Sequence, residues 1–331
     1  MSLHDKIIGR LGFGSAPLGN MFRTIDEEEA AATVQSAWDQ GIRYFDTAPI
    51  YGAGLSEQRL GKALAAIPRD QYTLSTKVGR LISDEIDTET RSGPFAEGLK
   101  NKIVTDYSAD ATLRSIEASL KRLNTDRLDI VFVHDVAQDA HGDAWIEHFN
   151  IARTGAFRAL TRLREEGVIK AWGLGVNRVE PCELTLDLDE AQPDGFLLAG
   201  RYSLLDHDQP LQRLFDKARQ HNAEFVAGGP YSSGVLVGGK HFEYQEASQA
   251  MLDKVAHIHE IARQYQVDIK SAALQFVLAN PLVAAVIPGA SRPSRIIEDV
   301  TALNAQVPDG FWQAMRDQGF IALQAPVPMK A

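Results

Sequence analysis

Eight short apolar runs, each separated from the next by a longer amphipathic stretch, constrain this chain more than any other feature. They fall at Leu11 to Ser15, Arg43 to Asp46, Tyr72 to Lys77, Leu128 to His134, Ala171 to Val176, Gly195 to Ala199, Phe225 to Ala227 and Val283 to Ile287. Strands alternating with helices at this spacing form a parallel sheet, and eight of them close into a (β/α)8 TIM barrel. The 331 residues suit one barrel domain, 1–331, with long loops on its C-terminal face. The expected helices cover 27–40, 56–65, 109–123, 155–166 and 209–221. Asp26 with Glu29 is expected to form a capping box. Leu113, Ile116, Leu120 and Leu123 are expected to share the face laid on the sheet. The connections 78–108 and 136–154 exceed ordinary barrel loops and are expected to wall a substrate pocket.

Composition excludes several classes. A formal net charge of −10 argues against a nucleic-acid partner, which would require clustered cations. The single cysteine, Cys182, permits no intrachain disulfide, and no apolar run reaches membrane-spanning length, so a cytoplasmic protein without membrane contact is expected. No metal-ligand cluster is expected. A homo-oligomer is left open.

The ends of three successive strands carry Asp46, Lys77 and His134, and Tyr51 lies just beyond the second. Strand ends of a barrel converge on one rim. Singly, each has a bland reading as a helix cap, a solvated cation or a packed ring. Together they form an acid–base unit, in which a lysine beside a phenol is expected to lower the phenol's pKa while a carboxylate holds the lysine. A Schiff-base role for Lys77 is the rival, disfavoured because Asp46 would keep the amine charged.

FDTAPIYG with GLSEQRLGKAL, then LSTKVG, LDIVFVHD, REEGVIKAWGLGVN, GRYSLLD, GGPYSSGVLVGG and VIPGASRPSRIIEDV, resemble the aldo-keto reductase family in order and over nearly the whole chain. The resemblance implies that Asp46, Tyr51, Lys77 and His134 are the catalytic residues, with Tyr51 exchanging a proton while hydride passes to or from a nicotinamide. LGFGSAPLG lacks the βαβ setting of a Rossmann fingerprint. By resemblance the dinucleotide lies across the barrel, with Asn177 at the carboxamide, Gly229, Pro230, Ser232, Gly234 and Leu236 along the pyrophosphate, and Pro288, Gly289, Ala290, Ser291, Arg295 and Asp299 around the adenosine.

Three departures from the family pattern stand out. Ala199 replaces a common glutamine, Gly228 replaces a common aromatic residue, leaving Tyr202 and Tyr231 unassigned as stacking rings, and Gly289 with Asp299 replace groups that favour a 2′-phosphate. NAD is therefore expected over NADP, with Arg295 still able to admit NADP. The chain resembles the branch that includes D-threo-aldose 1-dehydrogenases, of L-fucose or galactose type, and pyridoxal 4-dehydrogenase. This implies oxidation of a cyclic hemiacetal to a lactone, with a sugar first and pyridoxal second. NADPH-dependent aldehyde reduction and a non-catalytic nucleotide-sensing barrel subunit are the alternatives. Met21, Phe22, Asp135, Trp145, His148 and Tyr244 are the candidate pocket residues for a small carbonyl or sugar substrate.

Overall fold

Strands β1 (Phe13–Gly14), β2 (Tyr44–Asp46), β3 (Thr73–Val78), β4 (Ile130–His134), β5 (Ala171–Val176), β6 (Gly195–Ala199), β7 (Glu224–Gly228) and β8 (Val283–Ile287) pair in parallel, each with its successor. The computed structural model describes residues 2–88 and 93–328. Parallel bridges Leu11 to Val286 and Gly14 to Gly289 join β8 back to the start. The ring is thereby closed into a (β/α)8 barrel.

Period-2 alternation sorts the side chains. Tyr44, Ile130, Phe132, Leu197, Val226, Ala285 and Ile287 fill the barrel interior. Phe45, Leu74, Val131, Val133, Trp172, Phe196 and Phe225 face outward into the layer shared with the helices. Leu3, in the N-terminal turn Leu3–Lys6, and Ile7, just after it, join the interior set and stop the barrel's lower end.

Most helices match expectation, and the differences have physical reasons. The 109–122 helix buries Ala111, Thr112, Ser115, Ile116 and Ser119, whereas Leu113 is 44% exposed. Small residues let this helix sit close to the sheet, so the seam is narrower than the leucine spacing suggested. Asp26 accepts from the Glu29 amide at 2.7 Å, but the Glu29 carboxylate turns to Arg23 at 2.6 Å instead of completing the box. The 209–221 stretch divides into a wide turn, Pro210–Leu214, and a helix, Phe215–Gln220. Both long connections contain structure: an antiparallel hairpin of Arg80–Ile86 with Asn101–Thr105, and the helices Gln138–His141 and Trp145–Thr154.

Candidate active site

The inward phase of each strand delivers the four expected groups to one place. In β2, Tyr44 points in, Phe45 out and Asp46 in; in β4, Ile130, Phe132 and His134 share the inner face. In β3, Thr76 bonds outward to Glu57 at 2.6 Å while Ser75 bonds inward to Asp46 at 2.6 Å, so Lys77 must point inward. Gly175 makes room for it, since a Cβ there would lie 3.3 Å from Lys77 Cε. Lys77 Nζ donates to Asp46 Oδ2 at 2.7 Å and to the Thr47 carbonyl at 2.8 Å. Both partners are buried. Removing either would strand a buried charge, a loss of roughly 3–5 kcal/mol.

Tyr51 reaches this pair from the loop after β2. Its ring centroid is 4.9 Å from Lys77 Nζ, meets the His134 ring edge-on at 5.9 Å and stacks on Phe95 at 5.5 Å. Backbone close approach fixes the loop. A Cβ on Gly19 would lie 2.5 Å from the Tyr51 carbonyl carbon, and one on Gly98 would lie 2.5 Å from Gly52 Cα. Asn20 ties the same segments together by donating to the Glu97 carbonyl at 2.7 Å.

Protonation states follow from burial. Desolvation first, then the charges of Asp46 and Asp135, pushes the Tyr51 phenol well above its ordinary pKa. The expected lowering by Lys77 is thus corrected: the ammonium donates to Asp46 and Thr47 and meets the face of the ring, so burial decides the direction. Desolvation, with Lys77 and Arg80 nearby, holds the His134 imidazole well below its usual range and therefore neutral. Its Nδ1 is buried and has no hydrogen-bond partner among the described residues. Tyr107 donates to the His134 carbonyl at 2.7 Å and lies 2.8 Å from His141 Nε2, bracing the strand end from behind.

The candidate pocket residues divide. Asp135 lies against His134, with Oδ1 3.6 Å from Nε2. Tyr244, at a hairpin tip, is 40% exposed, and its amide donates to Ser233 Oγ at 3.1 Å. Phe22 stacks on His241 at 4.6 Å, beside that hairpin, and Met21 precedes it, partly buried. Trp145 packs on Phe149 and His148 on Tyr107 and His141; among the described residues these rings touch none of the four central side chains. Sequence reasoning missed Arg80, Phe95 and Tyr107, because nothing in a 30-residue connection marks which positions fold back over the barrel.

The residues expected at a dinucleotide trace a path away from this centre. Asn177 leaves β5 and donates to Asp139 at 3.1 Å. Beyond β7, Gly229 and Gly234 adopt φ of 60° and 97°, and a Cβ on Gly234 would meet nothing within 4 Å, so backbone there is accessible as a phosphate cradle would be. A cleft of about 150 Å³ follows, lined by Tyr231, Lys270, Gly289, Arg292, Arg295, Glu298 and Asp299. Open glycine backbone leading to a cationic cleft fits the phosphate and adenosine end of a dinucleotide. Pro230 leads into the turn, and Ser291 accepts from Arg23 at 3.0 Å through its carbonyl.

Other expected residues offer backbone more than side chain. Leu236 and Ala290 are side chains of the main core, and Ser232 is buried against Ser203 at 3.0 Å, so only their backbones are candidates. Pro288 is buried too. Asp299 is engaged by Tyr231 at 2.6 Å and faces Lys270 at 3.7 Å, and its pKa is pushed up to about 6, chiefly by desolvation. Tyr202 is buried between Phe215 and Phe276, so its ring is not free to stack on a nicotinamide, and Tyr231 lines the cleft with Arg292 and Arg295. Ala199 and Gly228 are paired neighbours, and a Cβ on Gly228 would come within 3.1 Å of the Ala199 Cβ.

The profile of the Aldo/keto reductase family matches residues 10–318. The chain belongs to the aldo/keto reductase family. It is 37% identical to pyridoxal 4-dehydrogenase from Microbacterium luteolum, with 94% of each chain covered, and 35% identical to D-threo-aldose 1-dehydrogenase from a Pseudomonas species, with 95% of each covered. Among solved structures, an aldo-keto reductase from Bacillus halodurans in its holo form is similar with a TM-score of 0.66 and 27% identity, covering 93% of this chain and 91% of that one. Family membership makes this aldo/keto reductase an NAD(P)-dependent oxidoreductase.

Proposed function

We propose that residues 1–331 act as one barrel domain that oxidises a cyclic aldose hemiacetal to its lactone with NAD, using Asp46, Tyr51, Lys77 and His134. The observation that carries this reading is the convergence of a neutral phenol and a neutral imidazole above a buried Lys77–Asp46 pair. A bound nicotinamide supplies the hydride acceptor and, when oxidised, a positive charge that favours the phenolate. Tyr51 takes the hemiacetal hydroxyl proton in oxidation and returns it in reduction. His134 orients the reacting oxygen, and Asp46 fixes Lys77 beneath the phenol. A Schiff-base role for Lys77 is opposed by its two short hydrogen bonds.

Residues at the cleft support the cofactor assignment: Glu298 pairs with Lys270, and Asp299 faces it, so the cation nearest the cleft wall is already answered. That favours NAD over the more highly charged NADP, while the exposed Arg292 and Arg295 admit either. The similarity to pyridoxal 4-dehydrogenase keeps pyridoxal as the second substrate reading. Near-ultraviolet absorbance of reduced nicotinamide tests the assignment, with NAD or NADP and a panel of aldopyranoses plus pyridoxal. NAD reduction by an aldopyranose is the expected result; turnover confined to pyridoxal, or to aldehydes with NADPH, would replace the reading.

A further inference from the structure

Arg80 and Asp135 stand beside the four central residues without belonging to them. Arg80 follows Lys77 by three positions, where β3 gives way to the outer hairpin, and Asp135 follows His134 directly. Asp135 adopts φ of 52°. That left-handed conformation costs a non-glycine residue on the order of 1 kcal/mol, and aspartate is among the few that tolerate it. The turn brings its carboxylate back against the site: Oδ1 lies 3.6 Å from His134 Nε2, Oδ2 accepts from Arg80 Nη1 at 3.3 Å, and its charge acts on Tyr51.

This ion pair is loose and incompletely satisfied. Arg80 Nε is buried with no hydrogen-bond partner among the described residues. Arg80 is the hydrogen-bond partner of the Asp135 carboxylate there, and the carboxylate side chain is 22% exposed. The contrast with Asp129 is direct, since that carboxylate receives Arg69, Lys170 and the Leu74 amide, all within 2.8 Å. A pair that only held the fold together would be closed in the same way.

A carboxylate with spare lone pairs, 22% exposed, beside a guanidinium side chain that is 20% exposed complements vicinal hydroxyl groups, because each hydroxyl both donates and accepts. We propose that Arg80 and Asp135 are specificity-determining residues that grip ring hydroxyls next to the reacting carbon and so select polyhydroxylated cyclic substrates. This rests on the hemiacetal-oxidation reading above. A hydroxyl-binding site rejects an analogue lacking that hydroxyl because its own polar groups are left unpaired. For charge-assisted hydrogen bonds the rejection is about ten- to hundredfold.

The test compares kcat/KM for one aldopyranose and its 2-deoxy and 3-deoxy forms in the wild type, Arg80→Met and Asp135→Asn. The wild type should discriminate against at least one deoxy sugar by about tenfold or more. Each variant should narrow that ratio to about threefold or less, mainly through KM, and Arg80→Lys should restore part of it. Parallel losses on all sugars would overturn the proposal by making the pair a brace for His134, and so would a wild type indifferent to the missing hydroxyls. Thermal melting and NAD-induced quenching of tryptophan fluorescence show that each variant is folded. If Arg80→Met does not fold, Asp135→Asn and Arg80→Lys decide alone. A wild type that binds NAD yet turns over no aldopyranose would mark failure of the underlying reading and overturn the proposal with it.

Discussion

The two ends of the barrel answer the same problem, polar groups at strand termini, in opposite ways. At the lower end, Asp129 and Asp194 each take two cations and a backbone amide, and Glu224 takes His4, so the charge is spent on closing the structure. At the upper rim, His134 Nδ1 and Arg80 Nε lack partners among the described residues, and Asn20, Phe22, Ala53, Asp135, Ser232, Ser233, Glu243 and Tyr244 all hold positive φ. The lower end has some of both features, since Asn124 and Asn222 in its loops hold positive φ and Trp172 Nε1 is buried without a partner among the described residues, but its carboxylates are closed by cations. At the rim the open groups surround the four central side chains, the pattern of a site whose missing partners are ligands.

If that division is right, the rim can lose its chemistry without losing the fold. Tyr51→Phe is the sharpest case, because the loop's position depends on backbone packing at Gly19 and Gly98, which the substitution leaves intact. Turnover should fall by about 10²- to 10⁴-fold. The melting temperature and NAD affinity should stay near wild type. A variant that retains turnover would remove Tyr51 as the proton-transfer group.

The next effect separates position from chemistry. Gly98→Ala puts a methyl group 2.5 Å from Gly52 Cα and must displace either the Tyr51 loop or the segment carrying Phe95. Misplacing a catalytic group by about 1 Å costs on the order of a hundredfold in rate. We expect kcat to fall by roughly ten- to a hundredfold, less than for Tyr51→Phe, with the phenol intact. Unchanged kcat would mean the glycine contact does not set the position of Tyr51.

How much of this was legible in the sequence depends on how local the determinant is. β5, β6 and β8 were readable to the residue, because a buried strand is a continuous apolar run bounded by polar ones. Asp46, Lys77 and His134 were readable because strand phase and strand end are both visible in the chain. Asp135 was legible as a candidate pocket residue next to His134, but its conformation was not. Its left-handed turn and its pairing with Arg80, 55 positions away, are tertiary facts. Phe95 and Tyr107 were hidden for the same reason, and for Trp145 and His148 the sequence did not show that their rings pack on Phe149, Tyr107 and His141. At the adenosine end, Asp299 was read as bare negative charge, whereas Tyr231 and Lys270 both engage it.

The smallest effect is also the most discriminating, because a single type of substitution should act with opposite sign at the two ends. Asp129→Asn removes the anion from two short contacts, Arg69 at 2.6 Å and Lys170 at 2.7 Å, and should cost about 1.5–3 kcal/mol with kcat per folded molecule unchanged. Asp135 differs because desolvation raises its pKa from 3.8 to about 6 against the opposing pull of Arg80 and Lys77, with Asp139 adding to the rise. The folded state thus binds this proton more tightly than the unfolded state, so the group's contribution to stability is present below pH 4 and lost as pH rises through about 6. Asp135→Asn has no such charge to bury. Urea unfolding should show it stabilised at pH 8, on the order of 1 kcal/mol, and indistinguishable from wild type near pH 4. The neighbouring His134 and Tyr51 carry no charge in this range, their pKa values being displaced away from it by burial. If Asp135→Asn instead destabilises at pH 8 as Asp129→Asn does, Asp135 is a brace like its counterpart at the base, and the contrast between a closed end and an open one fails at the residue where it matters most.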